Sequence, residues 1–171
     1  SAASDVYKRQ AEAFPDKVIT TGASISKSDA ILTFGKEHVS ISLEGVFPNY
    51  TELEAVKLKQ GRFINDRDMK ERRKMIVLHE KTVKMLFPRT QAIGKYIDVQ
   101  GVAYQVIGIY TDQNSFSPSA LVPFTTLQLV YGKGDSIDNL TFTTQGLTDE
   151  VTNEKFEQSY RRACLLYTSD A

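Results

Sequence analysis

Short stretches with β-type patterning constrain the fold of this chain more than any other feature of its sequence. Apolar and polar residues alternate over residues 39–43, which predicts a β-strand with one buried face. Residues 97–99 and 102–109 flank a Gln-Gly pair and predict a hairpin. The continuous apolar run over residues 75–78 predicts a fully buried strand. The chain is therefore expected to form a sheet rather than a helical bundle.

The segments around these strands predict short helices and further strands. Thr51, with Glu54 three residues on, matches a capping box, and Gly61 is a suitable C-terminal stop, so a helix of about 8–10 residues is expected between them. Residues 80–87 and 125–130 predict two more helices. Additional strands are expected over residues 18–21, 30–34, 120–123 and 137–144, and an additional helix over residues 150–160.

The order of these elements indicates the fold class. Strands and helices are interspersed without regular βαβ spacing, so the prediction is α+β, with a mixed or antiparallel sheet and a few short helices packed on it. Residues 22–29 are expected to be a turn, and residues 102–109 to belong to the longest strand. Gly108 inside that strand predicts a bulge or a close backbone approach.

Charge and length exclude several classes of function. The 171 residues include 21 basic and 21 acidic side chains. A formal charge of zero removes the electrostatic reason to expect nucleic-acid binding. No run of 18 or more apolar residues occurs, so no stretch of this sequence predicts a transmembrane helix.

The two ends of the chain differ from the middle. Residues 1–10 and 161–171 resemble translated sequencing-adapter DNA, and we expect both to be non-native. Residues 11–160 then form the domain, which is expected to be truncated at both ends. Without Cys164 that domain has no cysteine, which excludes disulfides and thiol nucleophiles.

Residues capable of chemistry are sparse. His38 and His79 have no partner at metal-ligand spacing, so structural or solvent-exposed roles are expected for both. Asp66 and Asp68 could hold a divalent cation through carboxylate oxygens, and this is the only local feature that suggests a metal-dependent enzyme. No nucleophile with an adjacent base is present, so no catalytic, cofactor-binding or metal-binding residue is predicted.

One basic segment and one glycine-rich segment are candidate binding sites. Residues 70–74 are the strongest local basic run, which could contact a phosphate or a lipid headgroup. Glu71 interrupts the run, so a solvated loop is the favoured interpretation. The Gly-Lys-Gly sequence at residues 132–134 lacks the spacing of a phosphate-binding loop.

A series of short sequence blocks runs over about residues 40–145. The blocks contain Gly45, Tyr50, Gly61, Arg62, Phe63, Asp68, Phe87, Ile93, Gly94, Val106, Gly108 and Pro123. In this order they resemble the MacB-like periplasmic core domain, the extracytoplasmic module of FtsX-like ABC transporter permeases. The order of the blocks, rather than any one of them, carries the resemblance, and their local roles are those of fold determinants.

The resemblance implies a non-catalytic role. It implies an extracytoplasmic domain of a bacterial inner-membrane permease that transmits ATP-driven conformational change for export, lipoprotein release or cell-envelope regulation. ATP and Mg²⁺ would be bound by a separate ATPase subunit or domain. The implied partners are that ATPase, a second permease copy, and a periplasmic adaptor or lipoprotein. A free-standing periplasmic binding or adaptor module remains the main alternative, followed by the metal-dependent enzyme using Asp66 and Asp68.

Overall fold

A computed structural model describes residues 23–53, 56–113, 116–132 and 141–144. Within these residues the chain forms eight strands and four helices. The strands are β1 (Ala23–Phe34), β2 (Glu37–Val46), β3 (Val56–Gly61), β4 (Met75–His79), β5 (Tyr96–Val99), β6 (Val102–Asp112), β7 (Ala120–Pro123) and β8 (Thr141–Thr144). The helices are α1 (Tyr50–Leu53), α2 (Asp66–Lys70), α3 (Glu80–Leu86) and α4 (Phe124–Tyr131).

Six of the strands form a closed circuit of pairings. β1 pairs antiparallel with β2, β2 parallel with β7, and β7 antiparallel with β4. β4 pairs parallel with β6, β6 antiparallel with β5, and β5 antiparallel with β1. β3 adds to β6 and β8 adds to β1. This mixed sheet with short helices confirms the predicted α+β class.

Every strand of the circuit contributes buried apolar side chains to one core. On β2 the predicted alternation is observed, because Val39 and Leu43 are buried while Ser40 is exposed. Burying one side chain of this size stabilises the fold by about 2 kcal/mol. Core residues from the six strands include Leu32, Leu43, Leu78, Ile97, Val106 and Leu121.

Four strands have an end at the same edge of the sheet. β1 begins there, whereas β2, β7 and β8 end there: Ala23 is in register with Thr144, and Ser24 and Pro123 are both in register with Val46. We call this the shared edge. The described chain therefore enters the sheet and leaves it on two neighbouring strands.

The structure contradicts the helix predicted before Gly61. α1 has four residues, and β3 follows it instead. β5 pairs with β6 only over residues 102–105 of β6. Further along β6, β3 forms the backbone pairing with residues 108–112. Leu58, which lies within the range of the predicted helix, is 40% exposed on β3. A tertiary pairing thus overrides the local capping signal.

Two other predictions near the strands were wrong. The turn expected over residues 22–29 is strand from Ala23 onward, and a bulge between Lys27 and Ala30, with Asp29 at φ 57°, absorbs its irregularity. β6, expected to be the longest strand, has 11 residues, whereas β1 has 12.

The remaining predicted elements in the described ranges are confirmed. They are β4, the β5–β6 hairpin, α3, β7, α4, the strand over residues 30–34 as part of β1, and residues 141–144 as β8. The strand expected at residues 18–21, residues 137–140 of another, and the helix over residues 150–160 lie outside the described residues. None of the described helices has the length and apolar character needed to cross a membrane.

Candidate functional site

The chain makes a close backbone contact where β3 ends against β6. Gly61 has φ +77°, and a Cβ placed on it would lie 2.2 Å from the carbonyl oxygen of Ile107. The amide of Arg62 donates a hydrogen bond of 2.9 Å to that same oxygen. Only glycine fits here, because both the left-handed conformation and the contact exclude a side chain.

Gly108 occupies the opposite side of this contact. A Cβ on it would lie 2.2 Å from the carbonyl oxygen of Arg62. Ile107 is skipped in the pairing with β4, since Val106 is in register with Ile76 and Gly108 with Val77. The bulge and the close approach predicted from Gly108 are therefore both present.

Arg62 closes this contact with a bidentate ion pair. Its Nη1 donates to Asp68 Oδ2 at 2.7 Å, and its Nη2 donates to Asp68 Oδ1 at 3.1 Å. Nη1 also donates to the carbonyl of Phe63 at 3.0 Å. The Asp68 side chain is fully buried, whereas the Arg62 side chain is 42% exposed. The hydrogen bond to Asp68 raises the pKa of the Arg62 guanidinium.

Asp68 also takes part in the N-terminal cap of helix α2. Its Oδ2 accepts the amide of Asn65 at 3.0 Å, and its own amide donates to Asn65 Oδ1 at 3.0 Å. This is a reciprocal capping box. One buried carboxylate therefore fixes both the end of β3 and the beginning of α2. We call Gly61, Arg62, Asp68 and Gly108 the Arg62 junction.

Two threonine hydroxyls join α4 to α2 and to the loop that follows α2. Thr125 Oγ1 donates to the carbonyl of Met69 at 2.6 Å, and Thr126 Oγ1 donates to the carbonyl of Arg73 at 2.6 Å. Both threonines are buried. Sequence reasoning did not identify them, because nothing local indicates that their acceptors lie more than 50 residues away.

A second polar group lies at the other end of the β3–β6 pairing. His79 Nδ1 accepts the amide of Lys81 at 3.1 Å, so its proton is on Nε2, which donates to Asp112 Oδ1 at 3.1 Å. Glu80 accepts from Lys59 Nζ at 2.8 Å and from Thr111 Oγ1 at 3.2 Å. We call this set of residues the His79 cluster.

The two histidines have the structural or exposed positions that the sequence predicted. His79 is 1% exposed and caps α3. The edge of the Tyr110 ring meets it with a centroid separation of 5.0 Å. His38 is exposed on β2.

Three other family-pattern residues help to hold the layers together. Gly45 lies beneath α4, where an added Cβ would be 3.0 Å from Leu127 Cβ. Phe87 packs on Phe34 with ring centroids 4.3 Å apart. Pro123 is the residue from which α4 begins.

The rest of the family pattern surrounds the Arg62 junction. The rings of Tyr50 and Phe63 stack at 6.3 Å. Ile93 Cδ1 lies 3.0 Å from where a Gly61 Cβ would be. The amide of Gly94, at φ +87°, donates to the carbonyl of Val106 at 2.8 Å.

The geometry gives no support to a cation site at Asp66 and Asp68. Both oxygens of Asp68 are engaged by Arg62. Burial raises the pKa of Asp66, which makes its charged form less favourable. Among the residues that the structure describes, no group of three or more His, Cys, Asp or Glu side chains could hold a metal ion.

The basic run at residues 70–74 is more ordered than the predicted solvated loop. Lys70 belongs to α2, and Arg73 Nε donates to Glu71 Oε2 at 2.6 Å. The amide of Arg73 donates to the carbonyl of Asp68 at 2.9 Å. These bonds hold the run against the Arg62 junction.

The amino-acid sequence matches the model of the MacB-like periplasmic core domain family over residues 2–163. The chain therefore belongs to this family, the periplasmic core domain of MacB/FtsX-like ABC transporter permeases, as the resemblance indicated. The match is longer than the range of about 40–145 over which the blocks were recognised.

Curated relatives are macrolide export ATP-binding/permease proteins named MacB. The protein from Mannheimia succiniciproducens is 27% identical over 139 residues, which is 78% of this chain and 21% of the relative. The MacB 1/2 protein from Paracoccus denitrificans is 31% identical over 127 residues, covering 70% of this chain and 19% of the relative. The chain thus spans about a fifth of the length of these relatives.

Solved structures share the fold. The extracellular domain of the noncanonic ABC-type transporter YknZ from Gram-positive bacteria superposes with a TM-score of 0.64 at 21% identity, covering 94% of this chain and 80% of that one. The periplasmic region of MacB from Actinobacillus actinomycetemcomitans gives a TM-score of 0.60 at 23% identity, covering 85% and 67%. The described residues therefore share the fold of these two domains.

Proposed function

We propose that this chain is the non-catalytic extracytoplasmic part of an ABC permease, and that it transmits ATP-driven conformational change across the bacterial inner membrane. This movement would drive export, lipoprotein release or regulation of the cell envelope. ATP and Mg²⁺ would bind a separate ATPase subunit or domain, and a second permease copy would complete the transporter. A periplasmic adaptor or lipoprotein is the further partner.

One structural observation carries this proposal beyond family membership. Ala23 at the beginning of β1 is paired with Thr144 at the end of β8, and neighbouring strands are about 5 Å apart. A domain inserted between two membrane helices needs its incoming and outgoing chains close together. The shared edge meets that requirement, so movement of the two helices would act on one small area of the sheet.

The rest of the fold supports movement as a rigid body. The six-strand circuit pairs each of its strands on both sides, and the Arg62 junction connects β3, β6 and α2 through buried polar contacts. Because packed cores do not deform continuously, displacement at the shared edge would rotate the domain rather than bend it. The chain would then act as a lever and a docking surface.

The complete reading frame provides the first test. We expect one apolar helix upstream of this sequence and three downstream. A complete protein without any membrane segment would contradict the proposal and favour the free-standing binding or adaptor module.

Distance measurements on the full-length permease with its ATPase provide the second test. Spin labels would be attached at Lys36→Cys in each copy, in a permease from which all other cysteines have been removed. We expect the distance between copies to change when ATP binds. As a matched control, a Lys36→Cys and Lys57→Cys pair within one copy should keep its distance. An unchanged distance between copies during active ATP hydrolysis would refute the lever role.

A further inference from the structure

The segment between α2 and β4 presents an excess of positive charge. Residues 67–74, which we call the basic segment, contain five basic and two acidic side chains. One of the acids, Asp68, is buried against Arg62, which lies outside the segment. The other, Glu71, accepts hydrogen bonds from Arg67 and Arg73.

Two lysines of the basic segment project from it. Lys70 and Lys74 are both exposed. None of the carboxylates in the described ranges forms an ion pair with either lysine. Their charges are therefore available to a partner outside the described chain.

The basic segment lies at the shared edge. The Arg73 carbonyl accepts from Thr126 in the first turn of α4, which begins directly after Pro123 at that edge. β4 runs antiparallel to β7, with Val77 in register with Leu121, so the start of β4 points to the same edge. The segment therefore lies within a few strand spacings of the points where the chain enters and leaves the sheet.

The backbone holds the basic segment in one conformation. Arg72, between α2 and β4, has φ 50°, in the left-handed region. The amide of Arg72 donates to the Met69 carbonyl at 3.3 Å, and that of Arg73 to the Asp68 carbonyl at 2.9 Å. Because the backbone is already ordered, binding would cost mainly side-chain rotamer freedom.

We propose that the basic segment binds anionic phospholipid headgroups of the membrane from which the domain emerges. This inference rests on the proposed function, which places a bilayer next to the shared edge. Charged lipid surfaces attract nearby Lys and Arg residues. The formal charge of the whole chain is zero, so attraction to an anionic surface has to come from a local patch. Contact would limit how the lever tilts relative to the bilayer.

Vesicle flotation with the 171-residue chain tests this inference. Vesicles of phosphatidylcholine with 40% phosphatidylglycerol would be compared with vesicles of phosphatidylcholine alone, at low salt and at 0.5 M NaCl. We expect binding to the anionic vesicles at low salt, and its loss at high salt because surface charges are then screened. A Lys70→Gln, Lys74→Gln double variant should bind about thirtyfold more weakly, or about fivefold per lysine, from about 1 kcal/mol each.

A matched variant shows whether lipid binding depends on the basic segment or only on the net charge of the chain. Lys36 and Lys57 are also exposed and lie away from the shared edge, so a Lys36→Gln, Lys57→Gln chain changes the charge equally. It should bind the anionic vesicles like the unchanged chain. Equal loss in both variants, equal binding to both vesicle types, or no binding to anionic vesicles would each overturn the inference. None of these results bears on the reading frame or on the ATP-dependent distance, which test the proposed function.

Discussion

The Arg62 junction and the His79 cluster lie at opposite ends of the β3–β6 pairing but use charge differently. At the Arg62 junction, a carboxylate with no exposed surface meets a guanidinium through two hydrogen bonds. In the His79 cluster, the ion pair joins Lys59 and Glu80, whose side chains are 57% and 29% exposed. Its buried member, His79, is neutral in the tautomer that its hydrogen bonds require.

The difference shows that burial, rather than the number of charges, decides how much an ion pair contributes to the free energy of unfolding. Removing one partner of a buried pair leaves a charge without solvent and costs about 3–5 kcal/mol. An exposed pair contributes little, because water and salt screen it. We therefore expect variants at the Arg62 junction to have larger effects than variants in the His79 cluster.

The largest effect is expected from Arg62→Met. This change leaves the buried Asp68 carboxylate without its bidentate partner, and we expect a loss of about 3 kcal/mol in the free energy of unfolding. Urea denaturation followed by circular dichroism measures this loss. Arg67→Met is the matched control, since Arg67 pairs with Glu71 at the surface, and its midpoint should not change. Equal losses in both variants would disprove the dependence on burial.

The next largest loss of stability is expected from Gly61→Ala, with Gly94→Ala as its control. Gly61→Ala would place a Cβ 2.2 Å from the Ile107 carbonyl oxygen, whereas Gly94, also at positive φ, has nothing within 4 Å of its Cβ position. Gly94→Ala should cost about 1 kcal/mol from its conformation alone. Gly61→Ala should cost about 1.5 kcal/mol more than that, because the backbone has to separate. Equal melting temperatures for the two variants would show that the close contact is unimportant.

A smaller effect is expected at His79. His79→Ala removes the acceptor that caps α3 and leaves Asp112 without its donor, so the expected loss is about 2 kcal/mol. His79→Asn keeps an N-cap acceptor and should recover about 1 kcal/mol of it. If the Asn variant is no more stable than the Ala variant, capping is not what His79 contributes.

The smallest effect is expected for Lys59→Gln, and it should depend on pH. The hydrogen bond from Lys59 lowers the pKa of Glu80. A carboxyl group with a lowered pKa stabilises the fold above its unfolded pKa, and this contribution is lost as pH falls through the folded value. The difference in melting temperature from the unchanged chain should thus be present at pH 7 and vanish at acidic pH and in 1 M NaCl. A difference that persists under both conditions would have a non-electrostatic cause.

Predictions from the sequence were most successful where neighbouring residues decide the structure. The alternation in β2, the apolar run of β4 and the stop of α3 before Pro88 all follow from residues within a few positions. The assignment of individual residues to the family pattern stays a prediction. The sequence also pointed to Gly61 and Gly108. It did not show that Gly61 lies against the carbonyl of Ile107, or that Gly108 lies against the carbonyl of Arg62.

Predictions failed where a distant strand competes with a local signal. Thr51 and Glu54 have the spacing of a capping box, yet the residues after them pair with β6 instead of continuing a helix. The bonds of Thr125 and Thr126 to the carbonyls of Met69 and Arg73 likewise join parts of the chain that are far apart in sequence.

The sequence by itself determined the α+β class, most of the strand segments and the family, because periodicity, turn chemistry and ordered motifs are local properties of a chain. Only the tertiary structure decided that six strands close on one another, that β3 replaces a helix, and that the chain enters and leaves at the shared edge. Each of these depends on backbone hydrogen bonds between residues distant in sequence, whose partners are defined only when the whole sheet has formed.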